Sequence, residues 1–89
     1  MINRRKRRDG NHREVLDAFK VAGWRVIDTS QLGDAVPDAV VCKAGRWVAV
    51  EIKTPTGKLT AQQQSWHADW PGETAIIRSV SDVLELTRA

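Results

Sequence analysis

The chain has 89 residues, a formal net charge of +3 and a single cysteine. That length holds one small domain with a modest core, so no second domain is expected and a partner subunit would help its stability. Lone Cys42 excludes an internal disulfide, a zinc thiol cluster and an iron–sulfur site. No apolar run is long enough to span a bilayer or to follow Arg4 as the core of a signal peptide, so the expectation is a soluble, cytoplasmic protein, in the host cytoplasm if viral.

The basic balance is concentrated at the start. Arg4, Arg5, Lys6, Arg7 and Arg8 carry five positive charges against a net of +3, so the remainder of the chain is net negative. A run of like charges repels itself and suits a phosphate backbone, which it attracts without reading sequence. Residues 1–10 are read as a basic tail that binds nucleic acid, or as a solubilising one, and residues 11–89 as a single domain.

The spacing of Val15, Leu16, Ala18, Phe19 and Ala22 predicts an amphipathic helix over 11–22, stopped by Gly23. Glu14 falls at the border of its apolar face, where it either reaches a site between helix and sheet or forms a capping box with Asn11. Residues 24–29 predict a first strand. The polar loop that follows, 30–36, offers Ser30 and Gln31 as candidate phosphate contacts.

Residues 38–43 and 46–53 are apolar and β-branched around Ala44-Gly45, as a hairpin should be. With a two-residue loop, Lys43 faces Arg46, Cys42 faces Trp47 and Asp38 stands opposite Glu51, while strand alternation puts Lys53 on the same face. Two carboxylates facing each other across a ladder repel, and a cation between them compensates. A three-residue loop would slip the pairing by one and require a bulge, and Ala44 is a poor residue for the positive φ of the tighter turn.

Beyond a loop at 54–57, Thr60 and Gln63 have capping-box spacing at the head of a second helix that runs to about Trp70, before Pro71-Gly72. Gln63 is either that cap or a group at the site. The four tryptophans are read as core residues, and His67 as a surface histidine. Residues 74–78 predict a buried strand, and a helical turn or two follows from Ser81. The order αβββαβα describes an α/β domain with an open mixed sheet flanked by helices.

A helical Glu14, then Pro37-Asp38, then Glu51-Ile52-Lys53, then Gln63 resembles the PD-(D/E)XK nuclease superfamily and, within it, the VRR-NUC (virus-type replication-repair nuclease) family. The resemblance covers most of the chain after its first ten residues and implies that superfamily's restriction-endonuclease-like core. It also implies Mg²⁺- or Mn²⁺-dependent hydrolysis of DNA, with Asp38, Glu51 and the Ile52 carbonyl as metal ligands. Lys53 would orient water or stabilise the oxyanion, and Gln63 would hold water or phosphate. Glu14 would serve a second ion or a metal-bound water. Small stand-alone members of phages and bacteria imply a homodimeric resolvase of four-way (Holliday) junctions. Flap or other branched DNA is the runner-up substrate, and a non-catalytic nucleic-acid-binding module is the rival from another class.

Overall fold

The computed structural model describes residues 10–33 and 35–89; Arg4 to Arg8 lie outside the described residues. The elements are α1 (His12–Val21), β1 (Arg25–Asp28), β2 (Ala39–Lys43), β3 (Arg46–Ile52), α2 (Ala61–Asp69), β4 (Glu73–Ile77) and α3 (Val80–Arg88). This is the expected order, in a four-stranded sheet arranged β1-β2-β3-β4. The first three strands pair antiparallel, and the crossover through α2 brings β4 in parallel to β3. The last helix is longer than the turn or two expected, because Ser79 caps it by accepting from the Asp82 backbone N–H.

Register in the hairpin is that of the two-residue loop. Lys43 pairs with Arg46, Cys42 with Trp47 and Ala39 with Val50. The turn requires left-handed backbone at both loop positions, and Ala44 adopts φ 52 beside Gly45 at φ 79. For a non-glycine residue that conformation costs about 1–2 kcal/mol, which the continuous β2–β3 ladder offsets.

The two sheet faces differ in kind. Ala39, Val41, Val48, Val50 and Ile52 alternate onto one face and join Val15, Leu16 and Phe19 of α1 and Val83 of α3 in the core. Phe19 meets Trp24 edge to face at 5.7 Å. Basic side chains tie the helix ends to the hairpin: Lys43 Nζ donates to the Ala22 carbonyl at 2.6 Å, and Arg46 donates to those of Leu86 and Ala89. These are C-terminal carbonyls of α1 and α3, where a cation also complements the helix dipole.

The opposite face carries Asp38, Glu51 and Lys53, with α2 beside it. Helix α2 is polar, and its most deeply buried residue is Gln63. An element that brings so little apolar surface has to be seated by polar contacts.

Candidate active site

Asp38 and Glu51 follow from the hairpin register. Ala39 pairs with Val50, so the next residues outward, Asp38 and Glu51, face each other on the side of the sheet away from α1. Both are deeply buried, at 4% and 1% exposure. Asp38 Oδ2 accepts from the Ile52 backbone N–H at 2.8 Å, just where the β2–β3 ladder ends. Glu51 Oε2 accepts from Gln63 Nε2 at 3.1 Å and has Lys53 Nζ 4.0 Å away.

Gln63 holds both of its expected roles with different atoms. Its Oε1 accepts from the Thr60 N–H at 2.9 Å and its backbone N–H donates to Thr60 Oγ1, which completes the capping box. Its amide nitrogen is thereby aimed at Glu51. One side chain starts α2 and fixes that helix to β3.

His67 belongs to the same place, and the surface position expected for it is corrected. Gln63 and His67 are four residues apart on α2, so they share a face of the helix. The His67 side chain is 10% exposed, and its Nε2 stands 3.9 Å from Glu51 Oε1. Both ring nitrogens are buried without a hydrogen-bond partner. Burial pushes the imidazole below the usual histidine range, and the Asp38 carboxylate draws it partly back up. A buried, unsatisfied ring N–H costs about 1–3 kcal/mol, a penalty proteins tolerate where a ligand is to be met.

Asp38, Glu51, Lys53 and Gln63 are thus brought together, with the Ile52 backbone between the first two. Glu14 is not. It is exposed and lines a groove with Ala18, Val21, Val80 and Leu84, because the apolar stripe of α1 turns it toward α3. Nor does Glu14 share a capping box with Asn11, whose side chain makes no cap hydrogen bond. Asn11 Nδ2 donates instead to the carbonyls of Lys53 (3.1 Å) and Arg78 (3.0 Å), tying the head of α1 to the ends of β3 and β4.

Ser30 also departs from expectation. It is fully buried, and both its hydroxyl and its N–H donate to Asp28 Oδ1, at 2.6 and 2.9 Å. That is a closed turn and not an open phosphate contact. Gln31 is exposed. Of the tryptophans, Trp24 is core, Trp66 is half-buried, and Trp47 and Trp70 are 58% and 45% exposed. Trp66 and Trp70 stack at 4.8 Å along the outer part of α2.

Arg78 organises the edge of the site. Its guanidinium donates to the carbonyl oxygens of Thr54 (2.9 Å) and Gly57, so the loop that leaves Lys53 is folded back onto the end of β4. No signal in the sequence separates this arginine from a surface one.

Among the described residues, no three His, Cys, Asp or Glu side chains converge tightly enough to enclose a metal by themselves. The chemistry of the donors still fits a hard divalent cation. Two opposed, buried carboxylates supply the charge, and Mg²⁺ keeps several waters or substrate oxygens in place of an all-protein cage.

A solved structure described as a VRR_NUC domain is similar to this chain, with a TM-score of 0.73 and 22% sequence identity over 90% of this chain and 94% of the other. The fold is that of a VRR_NUC domain. No protein-family model matches the sequence, and no curated protein does. On that framework of a four-stranded mixed sheet and three helices, the Pro37-Asp38 and Glu51-Ile52-Lys53 stretches lie on adjacent antiparallel strands.

Proposed function

We propose that this VRR_NUC fold is a metal-dependent DNA endonuclease. The observation that carries the reading is the placement of Asp38 opposite Glu51, both buried, with the Lys53 ammonium on the same face. Opposed carboxylates in a sheet interior are costly for a purely structural role and useful for holding a cation. Asp38, Glu51 and the Ile52 carbonyl would hold Mg²⁺ or Mn²⁺, which when bound polarises a phosphodiester and acidifies water.

The side chains divide the remaining work. Lys53 presents its ammonium beside Glu51, where it orients the attacking water and stabilises charge developing on the phosphoryl oxygens. Gln63 fixes the rotamer of Glu51 through its amide. Asn11 holds the Lys53 carbonyl and Arg78 the Thr54 carbonyl just beyond it, limiting drift in a geometry that tolerates little.

The substrate in this reading is branched DNA, with four-way junctions first and flaps second, cut by a homodimer that supplies two symmetric sites. The basic run Arg4 to Arg8 adds sequence-independent attraction to phosphate. Cleavage of a four-way junction, a flap and a linear duplex, each with and without Mg²⁺, tests the proposal. Binding of all three without metal-dependent cleavage would replace it with the non-catalytic module.

A further inference from the structure

We infer that His67 is a direct nitrogen ligand of the divalent cation, sharing it with Glu51, and that it gives the site a preference for Mn²⁺ over Mg²⁺ and Ca²⁺. The inference rests on the nuclease reading and assigns a ligand beyond Asp38, Glu51 and Ile52. Four observations carry it. The His67 side chain is nine-tenths buried, its two ring nitrogens have no hydrogen-bond partner, Nε2 lies 3.9 Å from Glu51 Oε1, and the ring is on the face of α2 already pinned to Glu51 through Gln63.

The distance suits a shared ion and is too long for a direct hydrogen bond. Two donors each about 2.1 Å from one ion are roughly 3.0 Å apart when adjacent and 4.2 Å apart when opposite. A separation of 3.9 Å falls between these limits. An ion therefore fits between Oε1 and Nε2 with a small adjustment of the ring. Imidazole nitrogen is favoured by the later transition metals, and Mn²⁺, although it also prefers oxygen, accepts one nitrogen more readily than the strictly oxygen-seeking Mg²⁺ and Ca²⁺, so one nitrogen among oxygens biases the choice.

Pulsed electron paramagnetic resonance of Mn²⁺ bound to the wild-type chain tests the ligand without any variant. A ¹⁴N modulation that changes on ¹⁵N-histidine labelling is expected, and its absence from metal-loaded protein overturns the inference. In His67→Gln that signal should vanish. Calorimetric titration of the same variant should show Mn²⁺ affinity lowered by at least about 10-fold and Mg²⁺ affinity nearly unchanged, because only the nitrogen-tolerant ion loses a preferred donor. Parallel loss of both metals, or loss of neither, identifies His67 as structural and overturns the inference. A wild-type chain that binds neither metal removes the nuclease reading as well, whereas oxygen-only coordination of bound Mn²⁺ removes this inference alone.

Discussion

Asp38 Oδ2 accepts a hydrogen bond from the Ile52 backbone N–H, 2.8 Å away across the hairpin. The residue at the centre of the candidate site thus also closes the ladder beside it. Asp38→Ala should leave a buried N–H unsatisfied and cost about 1–3 kcal/mol, read as a lower denaturation midpoint. Asp38→Asn can turn its amide oxygen to the same N–H and should retain most of that stability. Cleavage should nearly vanish in both. Activity that tracks stability across the pair would make the carboxylate structural.

Gln63 offers a second separation of roles. Gln63→Glu keeps an acceptor for the Thr60 N–H but sets a carboxylate against Glu51 Oε2. Thermal stability should fall at neutral pH and recover as the pH is lowered, because the repulsion is relieved when one of two neighbouring buried acids takes up a proton. A drop that does not depend on pH would mean that the capping box and not charge decides the effect.

The Arg46–Glu73 pair gives a pH dependence with a fixed sign. The Arg46 guanidinium holds the Glu73 carboxyl below the usual carboxylate range, so its contribution is present above the unfolded-state value and is lost as pH falls through the folded-state one. Glu73→Gln should therefore lower the melting temperature slightly near neutrality and not at all in acid. Arg46→Ala should do more at both, since it also removes donors to Leu86 and Ala89 and a guanidinium over Trp24. Thermal scans at pH 7 and 3 decide between them.

The hairpin was legible because a period of two and a two-residue loop leave one register, and that register alone sets Asp38 against Glu51. Ala44 argued against the turn by local preference, and cross-strand pairing overrode it. Glu14 was not legible. A border position on a helical wheel does not say whether it leans toward the sheet or toward α3, and only the packing of Val80 and Leu84 beside α1 settles that. His67 was missed although its four-residue spacing from Gln63 was visible. That signal acquires meaning only once Gln63 is known to face Glu51, which depends on how the crossover lays α2 against β3. Trp47 and Trp70 were misjudged for a related reason, since so small a core leaves large aromatic surface outside.

The basic run Arg4 to Arg8 should act through counterions. Removing residues 3–8 is expected to weaken binding to duplex DNA and to reduce the salt slope by roughly 4 to 5 units, at about 0.9 per phosphate neutralised. An unchanged slope in filter-binding titrations would leave the run without a role in DNA contact.

Lys53 separates catalysis from binding most directly. Its side chain is mostly buried and ends 4.0 Å from Glu51 Oε2, while its carbonyl accepts from Asn11, a bond that a side-chain change leaves in place. Lys53→Met keeps length and packing and removes the cation alone. Metal affinity should hold or rise, because a positive charge that competes for Glu51 has gone. Junction binding in Ca²⁺ should weaken little, since one ammonium among many phosphate contacts contributes modestly. Single-turnover cleavage should fall by about 10² to 10³, the usual loss when one group stabilising a developing oxyanion is removed. The three measurements must be made on the same protein. A wild-type cleavage rate in this variant would show that the ammonium does not reach the reacting phosphate, whereas a loss of metal binding in step with rate would make Lys53 a support for Glu51 and leave the oxyanion to another group.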